Sequence, residues 1–441
     1  MKQEGASKEK IAECYRKAVI LTIPDAEKVW SEKRPLSVLE MNLLLETQTE
    51  NLKICEKAID KLRDAGRTYY LVELLEIEIQ ILETMPEDAV TEHLEKNGTD
   101  RINAKELMSM IKNLYAEYEV PAYMQDCTYF YQQKWIFSMK DVLRTRREMF
   151  GLTQEQLCEG ICSVKSLRRA EKGQTDMQRE TLKKLLNRLG LSGQMQWSRL
   201  ITSDREVIRM AEELADYIND RKFSVASKQL ESLKSRIDLD IPQNKQYFLE
   251  KQALLEFEQG KVTREEFVKM EKEALECTLR AENLYRKENV YLTEREIICI
   301  SNSWKGMEEK EKRESINLIL RLYDNYALNN GLSQAISVYE IVTEAAVNEL
   351  GNSGEHVRAE EIDRKSIKVS LSCRRVWDIH YKIYDILWNE KEIQKKNKEK
   401  KRNMEMTDGL MKCISISHYV KQPFYEKIYR EKMINLYIQD N

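Results

Sequence analysis

Gly151-Leu152-Thr153-Gln154-Glu155-Gln156-Leu157-Cys158, followed after a short turn by Ser163-Val164-Lys165-Ser166-Leu167-Arg168-Arg169-Ala170-Glu171-Lys172-Gly173, is the most informative run in the chain. Thr153 is a good helix N-cap, and Gln156 three residues on completes a capping box. Leu157 and Ile161 then face inward at i, i+4 spacing. Gly160-Ile161-Cys162 supplies a turn, and Ser163 caps a second helix. That helix buries Leu167 and Ala170, so Val164, Lys165, Ser166, Arg168 and Arg169 point outward. Gly173 ends it as a C-cap. Leu182, Leu185, Leu186 and Leu189 close a small core before Gly190. Two short helices joined by a tight turn, the second one basic, are what entry into a DNA major groove requires.

This stretch resembles the Cro/repressor-type helix-turn-helix family, the xenobiotic-response-element-like (XRE) regulators of bacteria. The resemblance spans 139–191 and includes Leu143 and Arg147 of a leading helix, the Gly-Leu-Thr-Gln-Glu run at 151–155 and the Glu-x-Gly ending at 171–173. It implies five short helices. It also implies that Gln154 meets the DNA backbone, that Val164, Lys165, Ser166 and Arg168 read bases, and that Arg169 lies near phosphates. Two positions depart from the pattern: the turn is one residue shorter than the commonest form, and Ala170 replaces a larger aliphatic. Pairing of Arg168 or Arg169 with Glu171 and neighbouring acids is the competing reading for those two arginines.

Charge supports the same reading. The 441 residues carry a net charge of −3. Residues 139–191 hold twelve cations against seven anions, a net +5 that leaves −8 for the rest. A basic island in an acidic chain is the footprint of a module that meets phosphates.

Outward from the island the chain reads as all-α. Only 14 glycines and 6 prolines occur, too few for strand-rich turns or phosphate-cradling loops. In 9–134 several amphipathic helices are expected. Leu71, Leu74, Leu75, Ile77 and Ile81 form one stripe ended by Met85-Pro86, and Ala104 starts another helix that stops before Pro121. Asn97-Gly98 reads as a turn, and the aromatic-rich 123–137 is expected beside the central module. From 203 to 441 the pattern is one of helical hairpins. Breaks fall near Asn219-Arg221, Ile241-Pro242, Gly260, Ser301-Gly306, Asn329-Gly331 and Gly351-Gly354, as stacked pairs require. Phe223, Ala226 and Leu230, and again Tyr326, Leu332, Ala335 and Tyr339, give tetratricopeptide-like patterns in which a small Ala lets two helices approach. The expected organisation is an N-terminal helical segment at 1–138, the helix-turn-helix domain at 139–191, and a tetratricopeptide-like sensor and dimerisation domain at 203–441. The Lys/Glu-rich run 389–402 reads as a solvated helix face.

A helix-turn-helix module joined to such an array resembles the peptide-sensing quorum regulators of Gram-positive bacteria. In that family the repeats bind a short signalling peptide on a concave face. The resemblance over 203–441 is architectural, and the 138 residues before the module depart from the family, which usually begins with it. The implied groove residues are Asn302, Tyr323, Asn325, Tyr326, Tyr381 and Tyr384, because Asn can hold an extended peptide backbone and Tyr offers a rigid amphipathic surface. For the tyrosines, a place in the repeat core is the competing reading.

Other chemistry is discounted. Cys158 and Cys162 stand at i, i+4, but no second pair or histidine lies near, so no metal is expected. The 4 histidines are isolated, and no phosphate loop, dinucleotide fingerprint or nucleophile elbow occurs, so neither a cofactor nor an enzyme is expected. No apolar run reaches membrane-spanning length, the first ten residues are charged rather than signal-like, and the 9 cysteines follow no disulfide framework, which suits a cytoplasmic chain. The expected function is a sequence-specific transcriptional regulator that binds double-stranded DNA as a homodimer and answers to a short peptide. The alternative is a protein-protein adaptor with a structural helix-turn-helix, and a third reading is a toxin-antitoxin or phage-type regulator whose ligand is a protein.

Overall fold

The computed structural model describes residues 48–86, 91, 103–124, 139–192, 200–280, 284–286, 289–328, 332–397 and 403–440. The aromatic run 125–137, the Asn97-Gly98 turn and part of the 389–402 run lie outside them. No named strand occurs among these residues; one isolated antiparallel bridge pairs Arg67 with Arg375.

The helices fall in two compact units, one built from 133–349 and the other from 6–132 with 350–441. These units cut the chain differently from the three segments expected above. The N-terminal helices share a unit with the last hairpins, and the helix-turn-helix stretch shares one with the middle repeats.

In the first unit, α1 (Met139–Met149), α2 (Gln154–Cys158), α3 (Val164–Glu171) and α4 (Arg179–Arg188) form the basic module. Four helices are present where the sequence suggested five. The repeats follow as α5 (Arg205–Asn219), α6 (Phe223–Lys234), α7 (Pro242–Glu258), α8 (Arg264–Glu276), α9 (Glu294–Ser303), α10 (Glu309–Leu328) and α11 (Leu332–Asn352). Capping starts several of them: Asp204 opens α5, and Thr263/Glu266 and Thr293/Glu296 form capping boxes on α8 and α9. Ala226 and Leu230 are buried with Phe223 packed beside them, as the first repeat pattern requires. Of the second pattern, only the side chain of Tyr339 is described, and it is buried.

The second unit contains α12 (His356–Ser372), α13 (Ile379–Asn397), α14 (Asn403–Tyr419) and α15 (Pro423–Asp440), packed with α16 (Gln48–Asp64), α17 (Leu71–Thr84) and α18 (Ala104–Glu117) from the start of the chain. One apolar core joins Leu71, Leu75, Ile77 and Ile111 to Ile367, Ile379, Ile416 and Tyr419. Arginines tie the loops: Arg67 Nη1 donates to Cys373 O at 3.1 Å, and Arg374 donates to Ala122 O and Tyr123 O, each at 3.0 Å.

Hairpin turns in both units close in the same way. A left-handed residue follows the first helix, and the next amide reaches back five residues. Lys222 N bonds Tyr217 O at 2.8 Å, Lys261 N bonds Glu256 O at 2.9 Å, Arg375 N bonds Ser370 O at 2.9 Å and Gln422 N bonds Ser417 O at 2.9 Å. The left-handed residues are Arg221, Gly260, Arg374 and Lys421.

His380 sits fully buried in an aromatic nest of Tyr381, Tyr425 and Tyr429. Its Nε2 donates to Gln422 Oε1 at 2.7 Å, so Nδ1 accepts from the Tyr429 hydroxyl at 2.9 Å. Burial pushes its pKa from 6.5 down to about 3. A base whose folded pKa is depressed keeps its full stability above the unfolded value and loses it as the pH falls below about 6.5. At pH 5 the loss is about 2 kcal/mol. Denaturant titrations at pH 7 and 5 are expected to show it in the native chain and not in His380→Gln; equal pH dependence of the two would remove His380 as the cause.

Candidate nucleic-acid interface

The turn-and-helix geometry of the basic module is set by local bonds. Thr153 Oγ1 accepts Gln156 N at 3.2 Å, and Gln156 Oε1 accepts Thr153 N at 2.8 Å, so the capping box of α2 is complete. Gly160 takes a positive φ of 68° in the turn. Ser163 Oγ then accepts Ser166 N at 3.1 Å to start α3. Gly173, at φ 67°, ends it, with Gln174 N bonded to Arg169 O at 2.9 Å. Beneath lies a core of Val142, Leu143, Leu157, Cys158, Leu167, Leu185, Leu186, Leu189 and Leu191. Arg188 of α4 holds the end of α2, its Nη1 donating to Leu157 O at 3.0 Å and Glu159 O at 2.7 Å.

Arg147 fixes α3 against α1. Its Nε and Nη2 fork onto Glu171 at 2.7 and 3.0 Å, and its Nη1 donates to Leu152 O at 3.0 Å. Glu171 also accepts Gln154 Nε2 at 2.7 Å, while Gln154 Oε1 accepts Arg168 Nε at 3.3 Å. Glu171 is therefore taken by Arg147 and Gln154, and Arg168 reaches it only through Gln154.

Lys165, Ser166, Arg168 and Arg169 are exposed on α3, and Gln154 is half-buried beside them. Val164 departs from expectation. It is half-buried against the module core, because the turn feeds α3 in with its first residue beside Ile161 and Cys162. Sequence reasoning placed the basic face but missed Arg188 as a cap and Arg146, which turns away from the face into the protein. Cys158 and Cys162 are free thiols, and burial raises the pKa of Cys162. Among the described residues no cluster of three His, Cys, Asp or Glu could hold a metal ion, and no helix is long and apolar enough to cross a membrane.

The groove candidates are divided between the two units. Tyr323 is only 1% exposed, packed edge-on to Tyr339 at 5.2 Å; it is a core residue and not a groove residue, because α10 turns it toward α11. Asn302 is half-buried on α9 and donates to Glu271 Oε1 at 3.0 Å. The side chains of Asn325 and Tyr326 lie outside the described residues. Tyr381 and Tyr384 belong to the other unit, where Tyr381 packs on Tyr425 at 4.4 Å and Tyr384 on Tyr429 at 5.6 Å. Around Asn302 runs a buried polar strip. Glu250 accepts Arg295 Nη1 at 2.6 Å and Lys251 Nζ at 3.1 Å, and these cations hold its carboxyl below the usual range although burial opposes them. Glu271 has no such partner, and burial, reinforced by Glu250, pushes its carboxyl well up.

A helix-turn-helix family model matches residues 143–194, and this stretch is a helix-turn-helix domain. Two solved structures resemble the chain at low similarity. PlcR of Bacillus thuringiensis, in complex with the peptide PapR7 and DNA, is 17% identical, with a TM-score of 0.39 over 66% of this chain and 98% of that one. ComR from S. thermophilus, in complex with DNA and its signalling peptide ComS, is 16% identical, with a TM-score of 0.37 over 68% and 99%. No curated protein matches the chain by sequence.

Proposed function

We propose that the chain is a sequence-specific, DNA-binding transcriptional regulator, and not an enzyme, whose α3 enters the major groove. The observation that carries this reading is the exposed row Lys165, Ser166, Arg168 and Arg169 on a helix pinned to its neighbour by the Arg147–Glu171 fork. Arg168 has the fork geometry to read guanine, and Lys165 and Arg169 supply charge to bases and phosphates. Gln154 orients Arg168 and stands at the edge of the backbone. Two modules in a homodimer would read two half-sites about 34–36 Å apart. The repeats would then respond to a short peptide, with Asn302 and the polar strip beneath it as the part of the array suited to a peptide backbone.

Selection of genomic fragments by the purified chain at two salt concentrations tests this reading. A two-fold-related motif is expected, with binding that falls steeply with salt, each neutralised phosphate contributing about 0.9 to the log–log slope. No enrichment at either salt would replace it with the protein-protein adaptor.

A further inference from the structure

Arg146 and Arg147 are neighbours on α1 and face apart. Arg147 grips the reading helix; Arg146 grips the repeats. The Arg146 side chain is fully buried, and so is its partner Glu296. All five N–H donors of the guanidinium are used. Nε donates to Leu189 O at 3.0 Å. Nη1 donates to Tyr291 O at 2.9 Å and to Glu296 Oε2 at 3.1 Å. Nη2 donates to Thr278 O at 3.0 Å and also to Glu296 Oε1. Leu189 belongs to the module; Thr278 follows α8, and Tyr291 and Glu296 flank the start of α9.

The acceptors are themselves held. Glu296 closes the capping box of α9 through Thr293 N at 2.9 Å and accepts the Thr278 hydroxyl at 2.8 Å. Gln246 of α7 donates to that hydroxyl at 2.9 Å. The same joint is sealed at Gly190, where an added Cβ would stand 1.9 Å from Thr278 O, and Gln243 donates to Gly190 O at 3.0 Å.

We propose that Arg146 and Glu296 are positioning residues that clamp the helix-turn-helix module to the repeats as one rigid piece. They set where α3 stands in space, not what it reads. A buried ion pair adds little net stability over a well-packed apolar pair, but it is directional. A planar fork meeting five fixed acceptors permits one orientation, whereas an apolar joint could slide. The clamp continues through α1 into the Arg147–Glu171 fork, so α9, α1 and α3 move together. Asn302 lies on α9 six residues from Glu296, about 9 Å along the helix. A ligand that displaces Asn302 from Glu271 therefore acts on the helix that carries the clamp. In DNA binding this inference rests on the proposed function; the rigid joint itself does not.

The test uses the full chain as Glu296→Gln, Arg146→Lys and Gly190→Ala, the last opening the joint without touching a charge. The probes are the two-half-site duplex recovered by selection and a duplex carrying one half-site. Each variant is expected to lose at least tenfold on the two-site duplex and less than twofold on the single site. Hydrogen exchange is expected to quicken at 189–191 and 291–297 while the amides of α2 and α4 keep their protection. Equal losses on both duplexes, native-like binding to both, or unchanged exchange at the joint would overturn the proposal. If the native chain binds neither duplex, the DNA-binding reading fails, and the exchange pattern alone decides the clamp.

Discussion

Reversing charge at Lys165 and Arg168 together (K165E/R168E) abolishes preference for the selected operator and leaves the module folded. Both side chains are exposed on α3, and neither belongs to the module core. A good bidentate base contact is worth about 1–3 kcal/mol, and a carboxylate in its place also repels the phosphates. The expected loss in affinity is about a hundredfold or more. Fluorescence anisotropy on operator and scrambled duplexes measures it, and circular dichroism reports that the helices persist. Unchanged operator binding by this double variant would remove α3 from recognition.

Glu171→Ala has the second large effect, on stability rather than on contact with DNA. The substitution removes both acceptors of the Arg147 fork and the Gln154 bond, leaving a guanidinium that is only 13% exposed with the longer 3.5 Å pairing to Glu148 as its nearest counter-charge. Removing one partner of a buried pair costs about 3–5 kcal/mol, and the partial exposure of Arg147 places this case near the lower figure. At about 2–4 °C per kcal/mol for a unit of this size, the melting of the first unit is expected to drop by about 6–12 °C. Calorimetry on the full chain would read it as an earlier first transition. A thermogram that superimposes on the native one would mean that the fork does not hold α3.

What could be read from the sequence was what neighbours in the chain decide. Thr153 and Gln156 are three residues apart, and their capping box is present as expected. The hairpin at Gly260 was visible because glycine marks left-handed backbone. The hairpins at Arg374 and Lys421 were not, because each adopts the same conformation with a full side chain. Separation hid the rest. Arg147 and Glu171 are 24 residues apart, and Arg146 and Glu296 are 150 apart. No periodicity links such partners, so the inward turn of Arg146 could not be read from its place beside Arg147. Tyr323 failed as a groove residue for a related reason. The side of a helix that faces a groove or a core depends on how successive hairpins stack, which the spacing within one helix does not state.

The joining of α16–α18 to the last hairpins has a consequence in time. Tyr419 donates to Arg67 O at 2.7 Å across a separation of 352 residues. At synthesis rates of about 5–20 residues per second, Arg67 leaves the ribosome roughly 20–70 s before its partner exists. Through most of that interval, until α12 and α13 emerge, the apolar stripe of Leu71, Leu75, Ile77 and Ile81 has no C-terminal partner to cover it, and closing so long a loop is slow once synthesis ends. Nascent chains stalled before α12 are therefore expected clients for chaperones, and a chain truncated there would expose the apolar surface made first.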